Sequence, residues 1–573
     1  MDVDLVIRNG TIVDGMGGEP FAGDVAVKDG RIAGVGPALA VRATEEIDAT
    51  GQIVTPGFVD MHTHYDGQVT WDHRLWPSSL HGVTTVMMGN CGVGFAPCRP
   101  QDREKLVHLM EGVEDLPEIV LTEGLPWSWE TFPEYLDFLD GRSFDIDVAA
   151  LAPHSAFRIY VMGDRASDRE MATADDRARM ATLVGEAIEA GALGFGTSRT
   201  ISHKSSDGSL VPTLRAAEAE LAEIGGALAQ LGRGIIQVSD FQNAEEELPR
   251  LRRIAEQTGR PVSLTVLLKH HTDQWDTALQ WVEDCIAAGL DVQAQVSGRP
   301  IGALLGFELS RNPFWQSPTF KQLKALPREE RLAALRQADV RARIISEPLD
   351  HDESVGGDLV RRWAGMYPLG DPPNYEPTPD DSIAAIAARS GVAPEELAYD
   401  TMLEQDGEGV LIVPTSGLVG GNLDTAGNVL QRPYTVQALG DGGAHVGILC
   451  DASYPSFLLQ YWGRERRSGS GTIPLAALVR CLSWETAQSV GLGDRGALRP
   501  GLRADINVID FDKLQLGAPR VQRDLPAGGA RVLQRASGYT ATIVGGQVTY
   551  RDGVPTGALP GRLVRGARPK PAS

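Results

Sequence analysis

Between residues 146 and 267, short apolar runs alternate with longer stretches whose apolar residues recur at helical spacing, and nothing else constrains the fold as much. Ile146 to Leu151 reads as a buried strand, and Asp175 to Ala190 as an amphipathic helix stopped by Gly191. Leu193 to Ser198, Gly234 to Ser239 and Val262 to Leu267 are the next strands, separated by helices over Ala216 to Leu231 and Glu245 to Thr258. Alternating strand and helix means a parallel sheet, and this many units favours a closed βα barrel over an open sheet. Val83 to Met88 reads as another barrel strand, and Tyr434 to Leu439 as the last. From about 299 to 400 the rhythm breaks into a stretch rich in Pro and Arg that includes Trp315 and Trp363, expected to be an insertion near the barrel mouth.

The two chain ends are of another kind. Leu5-Val6-Ile7, a turn at Arg8-Asn9-Gly10, and Thr11-Ile12-Val13 read as a hairpin, followed by a second hairpin from Asp24 to Val35 that turns at Lys28-Asp29-Gly30. The far end repeats the pattern, with strands at Ala504 to Ile509, Ala541 to Val544 and Val548 to Tyr550. The economical arrangement is a small β domain built from residues 1–56 and 496–573, with a large domain, 57–495, inserted between them; separate terminal β modules are the alternative. A chain of 573 residues is long enough for two to four domains.

In a barrel the chemistry collects at the C-terminal ends of the strands. Ile53 to Asp66, IVTPGFVDMHTHYD, is an apolar run ending in His62-Thr63-His64. Residues two apart in a strand point the same way, so the two imidazoles can converge on a divalent metal just past the strand end. Taken alone, two histidines beside a turn are often only polar residues at a strand terminus. Cys91, in Gly89-Asn90-Cys91-Gly92 after the second strand, could join them as a thiolate or be a small buried residue. Asp441, in Gly440-Asp441-Gly442-Gly443-Ala444-His445 after the last strand, either caps a turn or needs a partner, because a buried carboxylate is costly unless bonded, paired or ligated.

The net charge of -23 argues against nucleic acid and anionic membrane as partners, since both demand a basic surface. There is no uninterrupted apolar run of about 18 residues. The start, MDVDLVIRNG, lacks a basic region followed by an apolar core, so the cytoplasm is the expected location. Five scattered cysteines fit a reducing compartment better than a disulfide framework.

Taken together, TPGFVDMHTHYD, LHGVTTV, NCGVG, EGLPWSWETFPEYLDFL, LGDGGAH and GALRPGLRADINVID resemble the amidohydrolase superfamily, and within it most closely the N-acyl-D-amino-acid deacylases, or D-aminoacylases. The resemblance runs over nearly the whole chain, and a Cys in place of a carboxylated Lys as the second-strand ligand is the mark of that branch. It implies a metal-dependent hydrolase with a (β/α)8 TIM-type barrel and a small β-sandwich formed by both chain ends, residues 1–56 and 496–573. His62, His64 and Cys91 would be metal ligands, and Asp441 both ligand and general acid/base. The substrate would be an N-acyl amino acid or related amide.

The departures from the family matter as much. Its fifth- and sixth-strand histidines, in segments of the type THxR and SHHK, are replaced here by Val238-Ser239-Asp240-Phe241 and Val266-Leu267-Leu268-Lys269. Asp240 could still donate an oxygen; Leu267 cannot, unless His270 or His271 swings in. One zinc is therefore expected, with a second weak or absent. Lys269 stands where the family places a Lys near the substrate carboxylate, and His203, His270 and His445 are further candidates to line the substrate site. A hydrolase of cyclic amides, a single-metal deaminase and a non-catalytic binding protein on the same fold are the alternatives. A homo-oligomer is left open.

Overall fold

The computed structural model describes residues 2–241, 243–350 and 359–566. Residues 351–358 of the expected insertion and 567–573 of the C-terminal segment lie outside the described residues. The two ends of the chain meet in one mixed sheet of nine strands. Its N-terminal members are β1 (Asp2–Ile12), β2 (Phe21–Lys28), β3 (Arg31–Gly36), β4 (Arg42–Asp48) and β5 (Ile53–Pro56). The C-terminal strand Ile506–Ile509 pairs antiparallel with β5, and Tyr539–Val544, Gln547–Arg551 and Val554–Pro555 continue the sheet outward. Leu5, Ile7, Val25, Val27, Val54, Ile506 and Ile543 bury their side chains in a core of this sheet's own.

One expectation is corrected here. Arg8-Asn9-Gly10 is not a turn between two strands but a bulge inside the single strand β1, which pairs with β2 on both sides of it, Leu5 opposite Val27 and Thr11 opposite Ala22. Asn9 takes the left-handed φ of +60° that an NG turn would need. Its N–H donates to Asp24 Oδ1 at 3.0 Å, and Arg8 Nη1 pairs with Asp24 Oδ2 at 2.9 Å, so the chain kinks and continues. Gly10 is needed because a Cβ there would stand 2.4 Å from Val54 Cγ2 of β5.

The apolar run at Ile53 is divided between two sheets. Past Pro56-Gly57 it enters β6 (Phe58–Asp60), which runs parallel to β7 (Val83–Met88) and β8 (Asp147–Ala150). After Leu151 a second parallel arc begins with β9 (Ala152–Pro153), β10 (Gly194–Arg199), β11 (Ile235–Phe241), β12 (Val262–Thr265) and β13 (Val292–Val296). The helices between them form where the apolar spacing placed them. Ala174–Ala190 buries Met180, Leu183, Val184, Ala187 and Ile188 on one face, is opened by a capping box of Thr173 and Asp176, and ends at Gly191. Glu218–Leu231 and Ala244–Thr258 end at the left-handed glycines Gly232 and Gly259.

The region from 299 onward contributes β14 (Ile301–Leu305), β15 (Tyr367–Pro368) and β16 (Leu411–Ser416), an antiparallel sheet under helices that include Arg328–Leu335 and Pro394–Gly407. Phe307, Phe314, Leu332, Tyr399 and Met402 give it a separate core. The chain then returns to the parallel arc through β17 (Thr435–Gln437), beside β13. Two backbone bonds tie the segment after β17 to the segment after β6: Asp441 N–H to His62 O at 3.1 Å, and His64 N–H to Gly442 O at 2.8 Å. Among the described residues no helix is long and apolar enough to cross a membrane. All five cysteines are free and buried.

Candidate metal centre

β6 stops at Asp60, so His62 and His64 stand in the turn beyond the strand and not on it. The turn is held from below: Asn90 Nδ2 donates to the carbonyls of Met61, Thr63 and Met87 at 3.2, 3.3 and 2.9 Å, and Thr63 Oγ1 donates to Met87 O at 2.8 Å. Cys91 follows Asn90 in a left-handed conformation, φ +56°, and its N–H donates to Gln237 Oε1 at 3.2 Å. The backbone folds this way because Gly89 runs against β8 and β9, where a Cβ would stand 2.3 Å from Leu151 O.

The side chains converge. His62, His64 and Cys91 are buried, and each offers a ligand atom within 4.8 Å of the others, alone in doing so among the described residues. Cys91 Sγ lies 3.5 Å from His62 Nε2. Asp441 Oδ1 lies 3.6 Å from His62 Nε2 and 3.7 Å from His64 Nε2. Ligands in a tetrahedron at zinc bond lengths of about 2.0–2.3 Å would be separated by about 3.3–3.7 Å, so each of these three edges is of a length one ion spans, while the group mutually within 4.8 Å is His62, His64 and Cys91, with Asp441 outside it. Asp441, like His445, has a left-handed φ, +47° and +49°, in a Gly-rich turn; sparsely populated backbone of this kind collects at functional sites.

Uncompensated polarity points the same way. Asp441 Oδ1, Glu114 Oε1, Asp60 Oδ2 and His64 Nδ1 are buried without a hydrogen-bond partner. Burial pushes Asp60 up to about 8, Asp66 to about 6 and Glu114 to about 7, and the Cys91 thiol to about 11. Burial also works to lower His64, but the charge of Glu114 and the nearness of Asp441 and Cys91 outweigh it and raise this group well above its ordinary value. Against its burial, Asp441 is held below the carboxylate range by His64 and His62. So many carboxylates around two imidazoles make a cavity that a cation would stabilise.

Sequence reasoning missed two side chains here. Gln295 of β13 is buried and accepts from His62 Nδ1 at 2.6 Å, while its own Nε2 donates to Ser263 Oγ at 2.9 Å. That leaves the His62 Nε2 lone pair facing Cys91 and Asp441, as metal ligation requires. Glu114, the last residue of the helix Arg103–Glu114, lies 3.3 Å from His64 Nδ1. Neither belongs to a local motif, so only proximity in space reveals them.

The remaining candidates are placed as follows. Asp240, near the end of β11, forms an ion pair with Lys269. Both line a cavity of about 280 Å³ together with Leu267, His271 and Trp275. His203 accepts or donates through Nδ1 with Ser198 Oγ at 2.8 Å and is pushed down to about 3 by burial and by the positive fields of His445, His64 and His62. His445 Nε2 stands 3.5 Å from Glu114 Oε2, and burial lowers it to about 4. His270 and His271 are exposed and pack edge to face against each other at 5.5 Å.

A sequence profile described as the Amidohydrolase family matches residues 45–550. An uncharacterized protein of Mycobacterium tuberculosis is 28% identical over 581 residues, spanning 96% of this chain and 92% of its own length. D-aminoacylase of Alcaligenes xylosoxydans xylosoxydans is 30% identical over 268 residues, 47% of this chain and 50% of that protein. Among solved structures, a D-aminoacylase described through the role of its binuclear metal center superposes with a TM-score of 0.66 at 23% identity, covering 98% of this chain and 100% of the other. N-acyl-D-glutamate deacylase from Bordetella bronchiseptica, complexed with zinc and a phosphonate inhibitor, superposes with a TM-score of 0.62 at 22% identity, covering 99% and 100%. At these identities the structural likeness is one of fold.

Proposed function

The chain belongs to the amidohydrolase family, and from that premise we propose that it is a one-zinc hydrolase of N-acyl amino acids, similar to the D-aminoacylases. The observation that carries this reading is the set of 3.5, 3.6 and 3.7 Å edges joining Cys91, His62, His64 and Asp441. The architecture that goes with it is a (β/α)8 barrel over residues 57–495, closed where the segments after β17 and β6 bond to each other. Residues 1–56 and 496–573 form the terminal β-sandwich, and about 299–400 the insertion near the mouth.

His62, His64, Cys91 and Asp441 would hold the ion. Zinc bound there supplies Lewis acidity toward a carbonyl oxygen and brings the pKa of water from 15.7 toward about 7. Asp441 takes a proton from the attacking water on a carboxylate oxygen and passes it to the leaving nitrogen, general base and then general acid in one turnover. His62 and His64 are 2% and 1% exposed, which keeps bulk water from the imidazoles. Lys269, held by Asp240, is the cation offered to the substrate carboxylate. Because the Asp240 carboxylate pairs with Lys269 and Leu267 offers no lone pair, the fifth- and sixth-strand positions favour a single ion.

Hydrolysis of a panel of N-acyl-D- and N-acyl-L-amino acids, with metal content measured on the same preparation, tests the proposal. One zinc per chain, and activity that disappears with a chelator and returns with zinc, is the expected result. A zinc-replete protein inert on every member of the panel would refute it.

A further inference from the structure

Glu114 touches the site in three ways that none of the motifs predicts. Its side chain is 2% exposed, at the end of the helix Arg103–Glu114. Oε1 lies 3.3 Å from His64 Nδ1, and each of these two atoms lacks any hydrogen-bond partner, so two buried orphans stand within reach of each other, a small ring rotation short of an aligned bond. Oε2 lies 3.5 Å from His445 Nε2. The main-chain carbonyl of Glu114 accepts the N–H of His445, the residue whose left-handed φ of +49° closes the Gly-rich turn begun by Asp441. The next residue, Asp115, leaves the helix with a φ of +50° and accepts from the N–H of Gly447 at 3.3 Å, so a second bond joins the same helix end to the same turn.

We propose that Glu114 is a positioning residue of the metal centre, a clamp whose carboxylate holds the Nδ1–H of His64 and the Nε2–H of His445 together. This rests on the reading of His64 as a ligand. An imidazole that ligates through one nitrogen is oriented by what its other N–H meets, and a carboxylate there fixes both tautomer and ring angle. With Nδ1–H turned to Glu114, the lone pair of His64 Nε2 is turned to Asp441. Through its second oxygen and its backbone carbonyl Glu114 also sets the turn that carries Asp441. The helix Arg103–Glu114, from outside the parallel arc, thus fixes the spacing between two groups that arrive on different strand ends.

The test is nuclear magnetic resonance of metal-free protein labelled with 15N-histidine, with zinc affinity measured in parallel by chelator competition. In the wild type, two slowly exchanging downfield imidazole protons are expected, assigned to His64 and His445 by their absence in His64→Asn and His445→Asn. Glu114→Leu should lose both and bind zinc about 10- to 100-fold more weakly. Glu114→Gln, of the same shape but with one acceptor oxygen in place of two, should lose one. Both protons unchanged in Glu114→Leu, or both absent from the wild type, would overturn the proposal; so would wild-type zinc affinity in a folded Glu114→Leu. If Glu114→Leu does not fold, the proton count in Glu114→Gln decides. Should the wild type bind no zinc while the protons behave as expected, the metal reading fails and the clamp stands.

Discussion

Replacing Gln295 by Leu removes the amide's acceptor and its donor, and little volume, from a fully buried position. Gln295 is held at both ends, Nε2 on Ser263 Oγ at 2.9 Å and Oε1 on His62 Nδ1 at 2.6 Å, so its carbonyl oxygen is the atom that meets the imidazole. The partner nitrogen of His62 must therefore carry the proton, and Nε2 the lone pair. Without the acceptor, His62 has two choices. It can keep the proton on a buried Nδ1 with nothing to receive it, at about 1–3 kcal/mol. Or it can move the proton to Nε2 and lose the lone pair that zinc needs. Binding zinc forces the first state, so the penalty falls on metal affinity, and about 1.4–2.8 kcal/mol corresponds to a 10- to 100-fold weaker Kd. Chelator competition on wild type and Gln295→Leu measures this directly, with thermal melting in the presence of excess chelator as the control for folding. A folded variant with wild-type zinc affinity would show that Gln295 does not set the tautomer of His62, and the ligand role given to His62 Nε2 would lose its support.

Asp441→Asn keeps the shape and one oxygen but cannot take a proton, so kcat should fall by about 10² or more while substrate still binds; full activity would place the base elsewhere, with His445 next to test. The double substitution His62→Ala/His64→Ala should abolish zinc binding, and unchanged metal stoichiometry would sink the proposed ligand set. A separate expectation concerns pH and stability. His81 is fully buried, bonded to Ser456 Oγ at 2.8 Å and Gln534 O at 2.9 Å, and burial pushes it down to about 3. Its folded pKa lies below its unfolded value of about 6.5, so the unfolded chain takes up the proton first, and stability present above that pH is lost as pH falls toward 3. At pH 5 the loss from this one group is about 2 kcal/mol. Denaturant melts at pH 7 and pH 5 should show a smaller drop for His81→Gln than for wild type; equal drops would mean that His81 contributes nothing to it.

What could be read from the residues was whatever physics makes local. Helices such as Ala174–Ala190 announced themselves by apolar spacing and a closing glycine, because the burial of one helical face needs no distant partner to be visible. The proposed ligands His62, His64, Cys91 and Asp441 could be singled out for a related reason: each lies just past a strand, in a short run with glycine or a second ligand type beside it. Local pattern misled at Arg8-Asn9-Gly10, where the backbone conformation of a turn is compatible with a bulge, and only pairing with β2 and the grip of Asp24 select the bulge. The division of the Ile53 run between two sheets at Pro56-Gly57 was likewise decided by the strand Ile506–Ile509, which lies more than four hundred residues further along the chain. Glu114 and Gln295 had no signal at all, since one ends a helix and the other lies inside a strand 233 positions from His62. The orientation of a ligand's second nitrogen is a matter of a few tenths of an ångström between residues brought together by folding, and only the tertiary structure contains that distance.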